Sequence, residues 1–254
     1  MDDLAKRIWL CRRDGGALAV PTGGGPVTQE EALAVQREAV AHAGMARVGY
    51  KVGSTSAEAQ KVLGTHEPGA SPVLTGFFHE SPARVGVDLS HCPAVEGEFA
   101  LRLGSDLPPS GRPYSFDDVV DAVEAVAGAI EVVGSRFAGG LAGKGRLLTT
   151  ADFGANIALV VGPWTESWRE LNLAAHGVDL SVDGVLWDSG TGARALGHPL
   201  NVLQWLADKQ EGGLRAGEIV STGTCTGLAE VTPGNYVAAD FGTLGRVEIE
   251  FGLF

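Results

Sequence analysis

Near the start of the chain, apolar residues recur at the spacing of a helix. Further along, apolar and polar residues mostly alternate, as they do in strands. Leu4, Ile8 and Cys11 recur at the period of one helical face, so we predict a first helix there. Thr28 and Glu31 form a capping-box pattern, which predicts that a second helix begins at Thr28. We therefore expect the segment 1–45 to be a small helical N-terminal part.

Beyond this segment, the hydrophobic pattern mostly has the two-residue period of strands. Strands are predicted over 47–53, 73–78, 85–89, 95–103, 155–161, 178–182, 185–187 and 218–221. Helices are predicted over 57–63, over 199–208 and from Ser115 onward, the last with Val119, Val123 and Ala127 on one face. Strands and helices do not alternate one for one, which excludes a doubly wound parallel sheet. We expect residues 46–254 to form a catalytic domain of the α/β class, built as a mixed β-sheet roll.

Composition and charge restrict the class of partner. The chain has 254 residues, of which 44% are hydrophobic, so it can bury a sizeable core. Its formal net charge of -12 argues against nucleic acid and anionic membranes as partners, because both bind clustered Lys and Arg. No apolar run approaches the length of a membrane span. Three widely separated cysteines predict neither disulfides nor a thiolate metal site, and a cytoplasmic location is expected.

Three carboxylates interrupt segments that otherwise predict buried strands. Glu96 and Glu98 are two residues apart, so their side chains point to the same face of one strand. Glu131 lies in a run that is apolar on both faces. A buried ionised carboxylate must be paired, protonated or metal-bound, so the three predict a site for Mg²⁺ or Mn²⁺. For Glu96 and Glu98 alone, the alternation also fits a strand with one solvated face.

Lys51 is the candidate acid/base group. It lies between Gly49 and Gly53 at two-residue spacing, so its strand face leaves room for a ligand beside the ammonium group. A lysine removed from water beside a metal ion is suited to proton transfer, and both charges would attract a small anionic substrate. The alternative is an ordinary strand lysine whose stem is buried and whose head is in water.

Two loops carry further candidate groups. The hydroxyls and backbone N–H groups of Thr222, Gly223 and Thr224 follow a predicted strand and are expected to hold a substrate carboxylate. The alternative is a turn that satisfies its own hydrogen bonds. The glycine-rich run 139–145 lacks the spacing of a phosphate-binding loop, so it is either a flap beside the site or a plain surface loop.

Five segments, taken in order, form a specific pattern: YKVG at 50–53, VEGEFAL at 95–101, IEVVGSR at 130–136, LGHPLN at 196–201 and ADFGTLG at 239–245. This pattern resembles the 2-oxopent-4-enoate hydratase / 4-oxalocrotonate decarboxylase family of the fumarylacetoacetate hydrolase superfamily. The resemblance implies the mixed β roll of that superfamily, usually oligomeric. It also implies Lys51 as the acid/base group and a Mg²⁺ or Mn²⁺ ion on Glu96, Glu98 and Glu131. Asp152 is expected to contact the substrate, and Phe153 after it stands where the family tends to have a polar residue.

Position 69 departs from the family pattern. The hydratases carry an aspartate after a Glu-Pro pair, whereas Glu67 and Pro68 are followed here by Gly69. Either Glu67 substitutes for that aspartate as a catalytic residue that activates water, or the enzyme runs a reaction that needs no activated water, such as decarboxylation.

The resemblance implies a lyase of aromatic catabolism. The expected reaction is metal-dependent addition of water to a 2-hydroxy-2,4-dienoate, with decarboxylation of a 4-oxalocrotonate-type diacid as the alternative. An acylpyruvate C–C hydrolase and a non-catalytic partner subunit are the less favoured alternatives. The expected partners are a small anionic 2-oxo acid, further copies of the same chain, and a paired decarboxylase or hydratase.

Overall fold

Strands supply most of the regular structure after the first two helices, as the alternation predicts. The computed structural model describes residues 2–254, and the side chains of all of these except Asp2 and Val62. The helices are α1 (Asp2–Asp14), α2 (Gln29–Ala43), α3 (Ala57–Leu63), α4 (Phe116–Ala122), α5 (Gly145–Ala151) and α6 (Pro199–Lys209). The strands are β1 (Arg47–Gly53), β2 (Gly69–Leu74), β3 (Phe78–Glu80), β4 (Ala83–Val87), β5 (Ala94–Leu103), β6 (Val123–Val133), β7 (Asn156–Val161), β8 (Gly177–Val182), β9 (Val185–Thr191), β10 (Ile219–Thr224), β11 (Ala229–Glu230), β12 (Tyr236–Asp240) and β13 (Arg246–Leu253).

The N-terminal part is helical, and it packs on the β roll. The predicted capping box is present: the Thr28 hydroxyl accepts from the Glu31 N–H at 3.1 Å, and the Glu31 carboxylate accepts from the Thr28 N–H. Apolar side chains of α1 and α2 share one buried cluster with Leu74, Phe137 and Phe153 of the remaining chain. The proposed division after residue 45 therefore crosses a continuous apolar cluster.

Two mixed sheets form the roll. The larger has the strand order β2-β1-β10-β5-β6-β7-β3 with β11 beside β5, and the smaller has the order β4-β13-β12-β8-β9. Both sheets contain parallel and antiparallel pairs, which confirms the mixed α/β class. Residues of both sheets share the main core, where the rings of Phe99 and Phe241 meet edge to face at 5.5 Å. This core fixes the inner strands β5 and β6, which carry the three predicted carboxylates.

Two predicted boundaries are wrong. The helix that Ser115 opens ends at Ala122, and Val123 and Ala127, predicted on its apolar face, lie in β6. Strand β6 hydrogen-bonds β5 on one side and β7 on the other, and this long-range pairing overrides the local helical pattern. The strand predicted over 73–78 is interrupted after Leu74 by a short 3-10 turn.

Several local predictions are confirmed. Helix α3 ends at Gly64, which has a left-handed φ of 64°. Asp183 and Gly184, both with positive φ, form the tight turn between β8 and β9. No helix within residues 2–254 is long and apolar enough to cross a membrane. Free thiols are found at all three cysteines, Cys11, Cys92 and Cys225.

Candidate active site

A cavity of about 900 Å³ lies among β1, β2, β5, α3 and α5. Lys51, Glu96 and Thr224, three of the predicted site residues, line it. Leu141 and Ala142 of the glycine-rich run also line it, so that loop borders the cavity, as one of its two interpretations requires. The cavity therefore brings charged, hydroxyl and apolar groups from separate parts of the sequence to one place.

The three predicted carboxylates converge on one face of the larger sheet. Glu96 lies directly opposite Glu131 in the antiparallel pair β5–β6, and Glu98 projects from the same face of β5. One oxygen from each carboxylate lies within 4.8 Å of the others. Glu98 and Glu131 are fully buried, and Glu96 is partly exposed to the cavity. The alternative of a solvated strand face therefore does not apply to β5.

A bulge in β10 orients Glu98. The register between β10 and β5 shifts between Ser221 and Thr224, which leaves the two intervening residues outside the ladder. The Ser221 hydroxyl and the Gly223 N–H both donate to Glu98 Oε2, the latter at 3.0 Å. Gly223 has a φ of 84°, and a Cβ there would lie 2.1 Å from the Thr55 hydroxyl oxygen, so this position requires glycine. The other oxygen, Glu98 Oε1, is buried and has no hydrogen-bond partner.

Glu131 is held from two directions. The side-chain amide of Asn156 donates to Glu131 Oε1 at 2.8 Å. The Lys51 ammonium nitrogen lies 3.4 Å from the same oxygen. Glu131 Oε2 is buried without a hydrogen-bond partner. Each of the two fully buried carboxylates therefore has one oxygen fixed by the protein and one oxygen left for a ligand.

This arrangement fits a hard divalent cation. Like charges directly opposite each other destabilise an antiparallel pair, and buried oxygens without a partner cost further free energy. The cluster contains only carboxylates, the ligand type that Mg²⁺ and Mn²⁺ prefer. Such an ion would be held by Glu96, Glu98 and Glu131, and its charge would offset both costs.

Burial and the repulsion between carboxylates raise the pKa values of Glu96 and Glu98. Burial, followed by the charge of Glu131, raises the pKa of Glu96 from its ordinary value of 4.5 to about 7. The same two causes, in the same order, raise the pKa of Glu98 well above its ordinary value. Protons and a metal ion therefore compete for these oxygens.

We expect the stability of the metal-free protein to fall as the pH rises from about 4.5 to about 7. In that window the folded protein keeps the Glu96 proton and the unfolded chain does not, so raising the pH disfavours folding. Urea midpoints measured in a chelator at several pH values test this, with Glu96→Gln as the comparison. The variant should show a shallower decline, and an identical pH dependence in both proteins would contradict the assignment. Metal affinity should rise with pH through the same window.

Neighbouring glycines leave the space that the chain and the side chain of Lys51 occupy. Lys51 is 5% exposed in β1, between two strands of the larger sheet. A Cβ at Gly49 would lie 1.9 Å from the Ile219 carbonyl oxygen, so the space there is filled by β10 and not by a ligand. Gly53 does line the cavity, as predicted. A Cβ at Gly154 would lie 2.9 Å from Lys51 Cε, so that glycine lets the lysine side chain pass.

The turn of Thr222, Gly223 and Thr224 was predicted to hold a substrate carboxylate through its hydroxyl and N–H donors. Thr224 lines the cavity, and its hydroxyl donates to the Thr226 carbonyl. The Thr222 hydroxyl is buried and donates to the Phe99 carbonyl at 3.0 Å. The Gly223 N–H serves Glu98, as described above. A substrate contact stays a prediction for Thr224, which lines the cavity, whereas Thr222 and Gly223 do not line it. Both threonine hydroxyls and the Gly223 N–H already donate within the protein.

Two further predicted site residues do not reach the cavity. The Glu67 carboxylate is exposed and lies 2.9 Å from the Lys209 ammonium nitrogen. Asp152 is 1% exposed and accepts from the side chain and the backbone N–H of Arg136. Neither side chain is among those that line the cavity. Phe153, where the family tends to have a polar residue, is buried in the cluster beneath the N-terminal helices and is not among the residues that line the cavity.

The sequence analysis did not predict that Arg12 helps to hold Glu131 through Asn156. Arg12 of α1 is 4% exposed, and its guanidinium lies over two phenylalanine rings at 3.9 and 4.5 Å from their centroids. Its Nη2 donates at 3.0 Å to Asn156 Oδ1, and Asn156 donates in turn to Glu131. The available signal was the charge of Arg12 four residues after Ile8, on the apolar face of the predicted helix.

Comparisons with known proteins place the chain in a family. Residues 58–251 match the model of the fumarylacetoacetate (FAA) hydrolase C-terminal domain. The chain is 33% identical over 207 residues to the 2-keto-4-pentenoate hydratase of Paraburkholderia xenovorans, which covers 80% of this chain and 76% of that protein. It is 30% identical over 252 residues to a 4-oxalocrotonate decarboxylase of a Pseudomonas species, which covers 96% of this chain and 95% of that protein.

Solved structures give the same result for the fold. The 4-oxalocrotonate decarboxylase from Pseudomonas putida G7, complexed with magnesium and adipate, matches with a TM-score of 0.89 at 26% identity, over 98% of this chain and 96% of that chain. The predicted mixed β roll of the FAA hydrolase type is therefore confirmed. The chain belongs to the fumarylacetoacetate hydrolase family, and within it to the group that contains 2-keto-4-pentenoate hydratases and 4-oxalocrotonate decarboxylases.

Proposed function

We propose that this protein is a divalent-metal-dependent lyase that acts on a small unsaturated 2-oxo acid. The observation that carries the proposal is the convergence of Glu96, Glu98 and Glu131, with two buried oxygens lacking partners, beside Lys51 in a cavity. Relatives named as hydratases and decarboxylases, and a magnesium complex of one of them, support it. Mg²⁺ is the ion we propose, with Mn²⁺ as a substitute that the same oxygens would accept.

The ion and Lys51 have separate tasks in this proposal. A bound divalent ion would supply Lewis-acid polarisation of the substrate carboxylate and 2-oxo oxygens. Lys51 holds or moves a proton on the substrate, because its ammonium group reaches the cavity while its stem is buried. Glu131 orients that ammonium group from 3.4 Å.

Hydration is the first reaction we propose. A 2-hydroxy-2,4-dienoate gains a proton on its carbon chain and loses one from its 2-hydroxyl, which produces a 2-oxo acid with a conjugated double bond. Water then adds to that double bond at C4. Lys51 is the described group best placed for the first proton transfer.

Decarboxylation is the second candidate, and one observation favours it. Gly69 offers no carboxyl group where the hydratases of the family carry an aspartate, and the Glu67 carboxylate is bound to Lys209 outside the cavity. In this reaction the bond to the terminal carboxylate breaks, and the electron pair released with CO₂ passes into the conjugated 2-oxo system. Lys51 then supplies the proton that the product requires.

Turnover assays test the proposal. Purified protein with Mg²⁺ is incubated separately with 2-hydroxypenta-2,4-dienoate and with 4-oxalocrotonate, while ultraviolet absorbance and CO₂ release are followed. Loss of the dienoate without CO₂ identifies a hydratase, and CO₂ release from 4-oxalocrotonate identifies a decarboxylase. Turnover that is absent for both, or unchanged by removal of the metal with a chelator, would contradict the proposal.

Replacement of Lys51 should separate proton transfer from metal binding. We expect Lys51→Met to lower kcat by roughly 10² to 10⁴, the usual contribution of a general acid or base. Metal affinity should hold or increase, because the variant removes a positive charge 3.4 Å from Glu131 Oε1. Turnover rates and calorimetric titration with Mg²⁺ measure the two effects. Full turnover in a correctly folded variant would remove Lys51 from the reaction.

The cellular setting and the partners of the protein also enter this proposal. We propose that the protein works in the cytoplasm, in the breakdown of aromatic compounds. Self-association and a complex with a paired decarboxylase or hydratase stay predictions, which light scattering on the purified protein alone and with such a partner would measure.

A further inference from the structure

A cation occupies the space that a side chain at position 69 would fill. A Cβ built on Gly69 would lie 2.6 Å from the central carbon of the Arg146 guanidinium and 2.6 and 2.7 Å from its two terminal nitrogens. Arg146 belongs to the first turn of α5, and both residues line the cavity. The absence of a side chain at position 69 therefore admits the guanidinium to the cavity wall.

Unlike the other two cationic side chains that line this cavity, Arg146 has no ion-pair partner among the described residues. Lys51 lies 3.4 Å from a Glu131 oxygen, and Arg194 lies 2.7 Å from an Asp188 oxygen. The Arg146 guanidinium donates only to the backbone carbonyls of residues 67 and 68, and no described carboxylate lies within 4.0 Å of it. Two carbonyls use part of its five N–H donors, so the planar fork retains donors for an anion.

None of the described acidic groups near Arg146 forms an ion pair with it, although the charge of Glu67 partly opposes the lowering of the Arg146 pKa by burial. The Glu67 carboxylate is bound to Lys209, and Asp188 is bound to Arg194. Glu58 lines the cavity from α3, but it is exposed, so solvent screens its charge. Glu96 belongs to the candidate metal cluster.

The register of β1 and β2 gives the separation between Arg146 and the reaction centre. Gly53 pairs with Gly69, and Lys51 Nζ lies 3.4 Å from a Cβ built on Gly53, so the ammonium group and the guanidinium lie beside paired positions of the two strands. Cβ positions directly opposite each other on antiparallel strands are roughly 4.5 to 5.5 Å apart. A short carbon chain bridges such a distance, and Leu63, Val133 and Leu141 supply apolar wall along the cavity.

We propose that Arg146 binds the far carboxylate of a dicarboxylic 2-oxo acid, and that this protein prefers such diacids to the monocarboxylic acids of equal length. This inference rests on the proposed function and specifies its substrate class. Gly69 is the enabling residue, because any side chain there would displace the guanidinium. The ion pair forms at the end of the substrate away from the 2-oxo group, so its loss should raise KM for a diacid more than it lowers kcat.

The test compares two acids that differ only in the terminal carboxylate. Calorimetric titrations in Mg²⁺ measure the affinity of 2-oxoadipate and of 2-oxohexanoate for the complete protein. We expect the wild-type protein to bind the diacid about tenfold more tightly or better, the value of one charge-assisted pair. The preference should weaken at high salt.

Variants identify the residue responsible. Arg146→Gln should bring the ratio of the two affinities close to one, and Arg146→Lys should retain part of the preference, because charge remains while the planar fork is lost. Gly69→Ala should also reduce the ratio, although every charge in the protein is retained. Lys144→Gln is the matched control: it removes one charge two residues away, from a side chain outside the cavity lining, and should leave the ratio unchanged.

The outcomes separate this inference from the function on which it rests. Equal affinity of the wild-type protein for both acids, or a preference that survives in Arg146→Gln, would overturn the role of Arg146 while leaving the lyase proposal in place. Binding of neither acid in Mg²⁺ would overturn the proposed function and this inference with it.

Discussion

Replacing Glu131 with Gln is expected to abolish metal-dependent turnover. Within the cluster of Glu96, Glu98 and Glu131, Glu131 Oε2 is one of two buried oxygens without a hydrogen-bond partner. The other oxygen of Glu131 faces both Asn156 and Lys51. The amide has the same shape but no negative charge, so it would bind a divalent cation weakly and would leave Lys51 without its counter-charge. We expect Mg²⁺ affinity to fall by about 100-fold or more, since loss of even an outer-shell partner of a metal ligand costs 10- to 100-fold.

Glu124 offers a matched control on the same strand. It lies near the start of β6, is exposed, and pairs with Arg102 at 3.4 Å, away from the carboxylate cluster. Glu124→Gln makes the same chemical change and should leave Mg²⁺ titrations and turnover close to those of the wild-type protein. Equal Mg²⁺ affinity in Glu131→Gln and Glu124→Gln would remove Glu131 from the metal site.

Replacing Asp152 with Asn is expected to cause a large loss of stability. Asp152 and Arg136 are each about 1% exposed, and Asp152 accepts three hydrogen bonds, from the Ser135 hydroxyl and from the backbone and side chain of Arg136. The variant leaves a buried guanidinium charge without compensation, which costs about 3 to 5 kcal/mol. The whole free energy of unfolding of a domain is only about 5 to 15 kcal/mol, so the change removes a large share of it.

Urea unfolding measures this loss directly. Glu250→Gln serves as the control, because it breaks the exposed pair of Arg84 and Glu250 and should shift the midpoint far less. A loss in Asp152→Asn that is no larger than the loss in the control would show that the buried pair does not stabilise the fold. If Asp152 instead contacts the substrate, as its sequence position suggested, the variant would lose substrate affinity at unchanged stability.

Some of the site follows from local sequence rules. Glu96 and Glu98 share a face because strands alternate, and Glu131 was notable because its run is apolar on both faces. Lys51 was marked by its glycine neighbours, although one of them, Gly49, makes room for a strand and not for a ligand. These inferences need only the two-residue period and the cost of burying charge.

Other parts depend on contacts that no local pattern specifies. The direct opposition of Glu96 and Glu131 is fixed by the register of β5 and β6, and the donors to Glu98 come from a bulge more than 120 residues away. Arg12 reaches Asn156 across 144 positions of sequence. Helix α4 was predicted too long for the same reason, because strand pairing decided where it ends. Long-range register is a property of the assembled sheets.

A crystal structure of the protein grown with Mg²⁺ is the most direct test of the proposed metal site. We expect one ion coordinated by an oxygen from each of Glu96, Glu98 and Glu131, at about 2.0 to 2.1 Å, with water or a chelating acid completing the shell. A magnesium-bound structure in which these three carboxylates point apart, or in which the ion lies elsewhere, would contradict it.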